Sequence, residues 1–386
     1  MTERPLAYLD NAATSFPKVA AVLRRMVEIY EACGVSPGRG GYDLAMEASE
    51  LVAAAREKLA RFFGAPDPER VVFAANASDA LNLAIQGWVR PGDHVVATRL
   101  EHNSVLRPLH HLHERDGVGY DLVPFGDSGR VDVADVAAAL RPTTRLAIIC
   151  HGSSVLGTVQ PVAEIAGACA ERGVPLLVDA AQTAGQVPVD IGAWGAAAVA
   201  FTGHKALLGP SGIGGLVVSP GFEPASTRFG GTGIDSQSLV HTQAFPHRLE
   251  VGTLNLMGII GLCEGLDTLE TAGQAALHRQ EMSLARRLRE GLDQLAGVDV
   301  LSPPLTDGDL PIVTCNVGDM PSDDVGAILD ADYSIAVRTG QHCAPMVHAG
   351  LGTSEVGAVR CSLGIATTEE HVERALEAME AIAGSC

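Results

Sequence analysis

Lysine is scarce in this chain of 386 residues, which contains only Lys18, Lys58 and Lys205. Aromatic residues make up only 4%, and the formal net charge is -19 with a pI near 5.0. Partners such as nucleic acids or anionic membranes require clustered Lys and Arg, so this balance argues against both. Small molecules or basic protein surfaces fit the acidic composition better.

The sequence also lacks long apolar runs and paired cysteines. No apolar stretch approaches the roughly 20 residues that span a bilayer, and no signal-peptide pattern follows Met1. We therefore predict a cytoplasmic protein with reduced thiols. The eight cysteines show no C-x-x-C spacing, so neither a zinc site nor a redox motif is expected, and we predict no metal. They stand at positions 33, 150, 169, 263, 315, 343, 361 and 386.

Short β-branched runs alternate with Ala-rich helical patterns between about residues 71 and 218, which is typical of βαβ units and a largely parallel sheet. The predicted strands are Val71–Phe73, His94–Ala97, Arg145–Ile149, Leu176–Val178, Ala198–Phe201 and a last, antiparallel one at Ile213–Val218. Long helical patterns then lead to strands near Val298 and Ile312 and a closing helix from Glu369. We predict an α/β protein with a large domain at 1–255 and a smaller α+β domain at 256–386.

Lys205 and Asp179 point to pyridoxal phosphate (PLP) chemistry. PLP needs a lysine to hold its aldehyde as a Schiff base and an acid to keep its ring nitrogen protonated. Asp179 ends an apolar strand, where a carboxylate is costly unless it is paired. Lys18 and Lys58 lie in Ala-rich, charged stretches that predict exposed helix, so Lys205 is the leading candidate for the Schiff base.

Polar residues after the predicted strands offer further contacts for a phosphorylated ring. Asn76 and Ser78 open a helix whose first N–H groups face the strand ends, which suits a phosphate as well as an ordinary N-cap. His102 also follows a strand, where its ring could stack on an aromatic ring or be a simple loop residue. Thr202 and His204 flank the lysine and offer a hydroxyl and an imidazole.

Two cysteines near the C-terminus have contrasting contexts. Cys343 lies in a Gly- and Pro-containing loop beside Arg338 and His342, and those neighbours favour the nucleophilic thiolate. Cys361 lies in a strand pattern on the face opposite Arg360, so we interpret it as structural. Cys343 is therefore the candidate nucleophile.

Together these motifs resemble the cysteine desulfurases of the class V aminotransferase family, within fold type I of PLP enzymes. The resemblance is greatest for the branch whose nucleophile lies in an R-[ST]-G-x-H-C-A loop, and it runs along nearly the whole chain. It is carried by Tyr8–Thr14, the Asn76 helix start, Glu101–His102, His151–Thr158, Asp179–Gln182, Thr202–Lys205, Glu250–Asn255, Arg338–Ala344 and Arg360–Ser362. Any one of these is weak, but their order and joint presence are specific.

The resemblance implies a large domain with a mostly parallel, seven-stranded sheet, a small C-terminal domain that carries the nucleophile loop, and an N-terminal segment 1–15 that packs on the small domain. It also implies a homodimer and a role for each matching residue. Lys205 would form the Schiff base, Asp179 would pair with the ring nitrogen, His102 would stack on the ring, and Gln182 would touch the ring hydroxyl. The phosphate would be bound by Ala77, Ser78, Thr202 and His204, together with Thr253 of the second subunit. The substrate would be contacted by Arg360, Ser154 and Asn11.

Three positions depart from the family pattern. Ser154 stands where family members usually have Asn, whose amide contacts the cofactor hydroxyl and the region of the substrate carboxylate. Gln341 replaces a frequent His, and Thr367 stands where Asn is common. None of the three removes a group that the chemistry requires.

The expected activity is conversion of L-cysteine to L-alanine, with the sulfur passing to Cys343 as a persulfide and then to an acceptor protein or small thiol. One alternative is a PLP-dependent C–S or C–Se lyase, acting by β-elimination or on L-selenocysteine. A second alternative is a PLP-binding partner protein without turnover.

Overall fold

The computed structural model describes residues 5–38, 40–234 and 237–385. Its strands are β1 (Ala7–Tyr8), β2 (Val71–Ala74), β3 (His94–Thr98), β4 (Gly119–Val123), β5 (Thr144–Cys150), β6 (Leu176–Asp179), β7 (Ala198–Thr202), β8 (Gly214–Val218), β9 (Val298–Val300), β10 (Ile312–Val317), β11 (Ile335–Ala336) and β12 (Val359–Ser362). The helices are α1 (Ala20–Cys33), α2 (Asp43–Phe62), α3 (Ala77–Trp88), α4 (Asn103–Asp116), α5 (Val133–Ala139), α6 (Val162–Glu171), α7 (Ile191–Trp194), α8 (Leu256–Ala272), α9 (Gln274–Asp293), α10 (Ser322–Tyr333), α11 (Pro345–Leu351) and α12 (Glu369–Ala383).

A seven-stranded sheet forms the centre of the larger part, in the order β2-β8-β7-β6-β5-β3-β4. The neighbours from β4 to β7 pair in parallel, and β8 pairs antiparallel with both β7 and β2. The predicted α/β fold and the antiparallel direction of the strand at 213–218 are confirmed. Edge strand β4 was not predicted, because most of its residues are only half-buried and its sequence, GYDLV, lacks a continuous apolar run.

Both faces of this sheet are covered. Every residue of β2, β3, β6, β7 and β8 is buried, which explains why these strands read as apolar runs instead of alternating patterns. One apolar cluster includes Phe63, Phe201 and Ile149, and a second on the other face includes Leu81, Leu109 and Ile148. The rigid sheet therefore fixes the positions of the residues that follow its strands.

A third apolar cluster lies around the antiparallel sheet β12-β10-β9 and helices α9, α10 and α12. Strand β1 belongs to it, because β1 pairs in parallel with β11, and Asp10 bridges to Ser362. Residues 7–10 thus lie against the C-terminal part of the chain. Residues 1–4 of the predicted N-terminal segment lie outside the described residues.

Helix α8 packs against α1 and α2, and its apolar residues, such as Ile259 and Leu262, join the core beneath the large sheet. The boundary predicted at residue 255 stays a prediction, and this packing favours one near residue 273. Across the described ranges, none of the helices is both long and apolar enough to cross a bilayer.

Candidate active site

One cavity of about 330 Å³ lies where the carboxyl ends of the parallel strands meet the C-terminal part of the chain. In an open α/β sheet this edge is the usual ligand site. Of the predicted site residues, the cavity brings together Ala77, Ser78, His102, Ser154, Asp179, Gln182, Thr202, His204, Lys205, Cys343 and Arg360. Only Asn11 and Thr253 do not line it.

Lys205 and Asp179 form the base of the cavity. Asp179 is the last residue of β6, is 6% exposed, and accepts a hydrogen bond from the Ala181 amide at 2.9 Å. Burial raises the pKa of Asp179, and the positive charge of Lys205 opposes that rise. Burial also lowers the pKa of Lys205 to about 8. A larger fraction of the amine is therefore neutral near pH 7, and the neutral form is the one that attacks an aldehyde.

The other two lysines are engaged elsewhere. Lys58 pairs with Asp267 at 2.6 Å. The Lys18 ammonium donates to the His204 carbonyl at 2.9 Å and to the hydroxyls of Thr14 and Ser15, both at 3.1 Å. The prediction that both lie on exposed helix was wrong in part: Lys18 precedes α1, and both side chains are half-buried. Lys205 is the lysine that lines the cavity.

The end of the cavity near α3 is suited to an anion. Asn76 caps this helix by accepting a hydrogen bond from the Asp79 amide at 3.0 Å. The helix begins at Ala77, so the N–H groups of Ala77 and Ser78 precede the capped amide and are suited to a ligand. The Thr202 hydroxyl and the His204 Nδ1 atom are buried, and neither has a hydrogen-bond partner within the described residues. Buried polar atoms are rarely left unpaired, so these two atoms match the oxygens of a phosphate. Burial lowers the pKa of His204 to about 4, which leaves a neutral ring that can donate through Nδ1–H.

His102 is held in one orientation at the start of α4. Its Nδ1 accepts a hydrogen bond from the Ser104 amide at 3.0 Å, and the Ser104 hydroxyl lies 2.8 Å from the same atom. Because Nδ1 is an acceptor, the ring proton is on Nε2. Burial lowers the pKa of His102 to about 4, so the ring is neutral. A neutral, fixed imidazole at the cavity wall is suited to stacking on a flat ring.

Arg360 is 4% exposed and is held by two contacts. Its Nη1 donates to the Ser154 carbonyl at 3.0 Å, and its Nη2 donates to Asp10 Oδ1 at 2.8 Å. Its Nε is buried and has no partner in the part of the chain that the structure describes. The guanidinium therefore has unused donors that face a cavity, which fits a carboxylate.

The cavity is also lined by Cys343, which is exposed and lies on the loop between β11 and α11. His342 and Cys343 have φ values of 50° and 57°, and such left-handed backbone costs roughly 1 to 2 kcal/mol per residue other than glycine. The Cys343 carbonyl accepts a hydrogen bond from the Asn103 amide at 2.7 Å, which ties this loop to α4. Cys343 thus faces the cavity from a strained, anchored loop.

Cys361 differs in every respect. It lies in β12 opposite Val313, it is 3% exposed, and burial raises its pKa to about 12. It belongs to the apolar cluster of the C-terminal part, as the structural interpretation predicted. Cys386 lies outside the described residues.

Two predicted site residues lie elsewhere. Asn11 lines a smaller adjoining cavity, and its amide donates to the Ser362 carbonyl at 3.0 Å. Thr253 is exposed and lies beside Gly231–Gly233 on another face. Within a single chain, neither residue reaches the main cavity.

Three residues that shape the cavity were not predicted from the sequence: Asp10, which pairs with Arg360; Ser104, which fixes His102; and Cys150, which ends β5. Asp10 lies inside the matched motif Tyr8–Thr14, and Ser104 lies two residues after His102, so proximity in sequence to predicted residues was the available signal. Within the described ranges, no group of three or more His, Cys, Asp or Glu side chains is placed to hold a metal ion.

Comparison with known proteins agrees with this geometry. The family model described as aminotransferase class-V matches residues 7–375. A probable cysteine desulfurase of Methanothermobacter thermautotrophicus is 37% identical over 99% of this chain and 96% of its own length, and a cysteine desulfurase of Pectobacterium atrosepticum is 32% identical over 98% and 93%. The apo structure of a cysteine desulfurase from Thermococcus onnurineus superposes with a TM-score of 0.92 at 34% identity, covering 99% of this chain and 95% of that one. The chain therefore belongs to the class-V aminotransferase family, whose cysteine desulfurases it resembles along nearly its whole length and which depends on PLP.

Proposed function

We propose that the protein is a PLP-dependent cysteine desulfurase that converts L-cysteine to L-alanine and takes the sulfur onto Cys343 as a persulfide. One observation carries the proposal: the exposed Cys343 thiol faces the same cavity as Lys205, Asp179 and Arg360. A cavity built only for PLP and an amino acid would not need a cysteine on its outer wall.

The cavity residues fit the cofactor. Lys205 would hold it covalently, Asp179 would accept a hydrogen bond from the protonated ring nitrogen, and His102 would lie against the ring. The buried donors of Thr202 and His204, with the N–H groups of Ala77 and Ser78, would bind its phosphate. When bound, PLP supplies an electron sink for cleavage at the substrate's Cα and Cβ.

Each remaining step falls to a residue of this chain. Arg360 binds and orients the substrate carboxylate through its unused N–H groups. The Lys205 amine takes the proton from Cα and returns a proton during formation of alanine. The Cys343 thiolate attacks the substrate sulfur; an S–S bond forms, the Cβ–S bond breaks, and Cβ gains a proton. The sum is L-cysteine plus a thiol giving L-alanine plus a persulfide.

The same residues leave a lyase as the second candidate. β-Elimination would need Lys205 and Asp179 but no thiol, and it would release pyruvate. The carboxylate of L-selenocysteine would also fit the guanidinium of Arg360. A PLP-binding protein without turnover is less consistent with the structure, because every group that turnover requires lines one cavity.

A matched pair of cysteine variants tests the proposal. Cys343→Ser should keep the PLP spectrum and bind L-cysteine, because Lys205 and Arg360 are unchanged, while alanine formation falls by about two orders of magnitude or more, since a hydroxyl is a poor sulfur acceptor. Cys361→Ser should stay active. After one turnover of the wild-type protein, mass spectrometry should find one added sulfur on the Cys343 peptide. Near-full activity of Cys343→Ser with pyruvate as product would establish the lyase instead.

The proposed assembly is a homodimer in which Thr253 reaches the phosphate in the partner's site. Thr253 is exposed and lies outside its own cavity, so it is available to a second copy of the chain. Tyr42, Met46, Leu239 and Val240 are exposed apolar side chains. Sedimentation should give twice the chain mass. Thr253→Ala should weaken PLP binding without changing that mass, and a monomer with full activity would exclude this arrangement.

The sulfur acceptor would be a protein or a small thiol, and the reaction would take place in the cytoplasm. All seven cysteines within the described residues are free, which agrees with a reducing compartment. Incubation of the sulfur-loaded protein with dithiothreitol or with a candidate acceptor protein, followed by mass analysis of Cys343, would distinguish the two kinds of acceptor.

A further inference from the structure

Two buried polar side chains lie directly behind the Cys343 loop and outside the cavity. His348, in α11, is 0% exposed, and Thr353, just after that helix, is 6% exposed. Neither lines the main cavity. His342, which precedes Cys343, is 7% exposed and connects them to it.

The three side chains form one continuous hydrogen-bonded chain. His342 Nδ1 lies 3.1 Å from His348 Nε2, and His348 Nδ1 lies 2.8 Å from the Thr353 hydroxyl. His342 Nε2 lies 3.4 Å from the Arg338 carbonyl, which can only accept. The proton of His342 is thus on Nε2, and its Nδ1 accepts from His348 Nε2–H. His348 Nδ1 then accepts from Thr353, so the direction of every bond is fixed.

Both imidazoles are neutral in this arrangement. Burial lowers the pKa of His342 to about 3, with Arg360 adding to the effect, and burial lowers that of His348 to about 4. Neutral rings agree with the bond directions above, in which each imidazole donates through Nε2–H and accepts at Nδ1.

The hydrogen bonds that join His342, His348 and Thr353 constrain the backbone that carries the Cys343 thiol. His342 and Cys343 are both left-handed, a conformation that residues other than glycine adopt only when their surroundings enforce it. The Asn103 amide holds the Cys343 carbonyl from one side, and the imidazole of His342 is held by His348 from the other. Loss of either contact would let the loop relax and redirect the thiol.

We propose that His348 and Thr353 are positioning residues for the Cys343 thiol and act through His342. The inference rests on the proposed role of Cys343 as sulfur acceptor and extends it to residues that touch neither substrate nor cofactor. The orientation of the thiol, and hence the sulfur-transfer step, depends on the Thr353 hydroxyl; binding of substrate by Arg360 does not.

Near-isosteric variants test this proposal in the full-length protein loaded with PLP. Thr353→Val removes the hydroxyl and keeps the shape, and Thr353→Ser keeps the hydroxyl. His348→Phe removes both ring nitrogens, and the amide of His348→Gln can donate to His342 and accept from Thr353. Three quantities are measured: kcat and KM for L-cysteine, the rate of Cys343 alkylation by iodoacetamide, and Tm.

We expect kcat to fall about threefold in Thr353→Val and about tenfold in His348→Phe, as for the loss of one or two net hydrogen bonds, with KM nearly unchanged. The alkylation rate of Cys343 should change in both, and Thr353→Ser and His348→Gln should restore most of the wild-type values. Thr353→Val that matches Thr353→Ser in kcat and alkylation rate would overturn the proposal, even if its Tm were lower. Failure of the desulfurase proposal would appear separately, as retained activity of Cys343→Ser.

Discussion

The two walls of the cavity are built in different ways. Lys205, Asp179 and Thr202 lie at or just after the ends of buried strands, where the sheet fixes the backbone on both sides. Cys343 lines the same cavity from a short loop with two consecutive left-handed residues, anchored by Asn103 and, through His342, by His348. Groups that hold a cofactor need a fixed frame, whereas a group that accepts sulfur must also be reached from outside. The exposure of Cys343 and the burial of Asp179 reflect that difference.

Removing Lys205, which would hold the cofactor covalently, should have the largest effect on alanine formation. Lys205→Ala should lower alanine formation by about three orders of magnitude, because both the Schiff base and the proton carrier at Cα are lost. Borohydride should fix the cofactor to the Lys205 peptide in the wild-type protein. Lys58→Ala, which breaks only the half-exposed pair with Asp267, is the control and should keep full activity. A reduced adduct on Lys18 or Lys58 would refute the assignment.

Removing the negative charge of Asp179 should have the next largest effect on alanine formation. Asp179→Asn cannot hold a proton on the ring nitrogen, so alanine formation should fall on the order of a hundredfold while the Cys343 loop stays intact. Iodoacetamide should therefore alkylate Cys343 at the wild-type rate. Asp299→Asn, on the exposed side of β9, should leave both measurements unchanged. A changed alkylation rate in Asp179→Asn would mean that the two walls are not independent.

Glu281 lies where the part of the chain with the large sheet contacts helix α9 of the C-terminal part. It is 3% exposed on α9, accepts a hydrogen bond from Gln186 at 2.7 Å, and burial raises its pKa from 4.5 to about 7. The folded state binds the proton more tightly, so this residue's contribution to stability declines as pH rises from about 4.5 to 7. Glu281→Gln should therefore stabilise the protein relative to wild type by up to about 3 kcal/mol at pH 8, and by much less at pH 5.

Denaturant unfolding at the two pH values measures this difference. Glu290→Gln, on the exposed face of the same helix, is the matched control and should show no pH-dependent gain. An equal effect of Glu281→Gln at pH 5 and pH 8 would show that its carboxyl group is ionised in the folded protein throughout.

Ser154 should give the smallest effect, since it concerns one hydrogen bond at the substrate end. Its carbonyl accepts from Arg360, and its short side chain lines the cavity. Ser154→Asn should leave PLP bound and change KM for L-cysteine by a factor of a few, the value of about one net hydrogen bond. An unchanged KM would show that this side chain does not contact substrate.

The strand wall was predictable from sequence because its signals are local. An apolar run followed by Asp179, and the Thr-Gly-His-Lys motif that ends at Lys205, each specify their own place at a strand end. The loop that carries Cys343 was predictable only as a sequence motif, without its tertiary contacts. The hydrogen bond between His342 and His348 and the pairing of Asp10 with Arg360 join residues whose proximity depends on tertiary packing. Lys18 was misjudged for the same reason, since its ammonium donates to the His204 carbonyl, which belongs to a loop distant in sequence.

The pairing of β1 with β11 also determines when the site can be completed during synthesis. Asp10 holds Arg360, and the strand before it pairs with residues 335–336, so the first described strand has no partner until nearly the whole chain exists. The seven strands between residues 71 and 218 can meet one another much earlier. A ribosome-bound chain that ends before residue 360 would thus carry Lys205 and Asp179 on a formed sheet. Arg360, which would bind the substrate carboxylate, would still be absent. Assembly of the substrate site is in this way postponed to the end of translation.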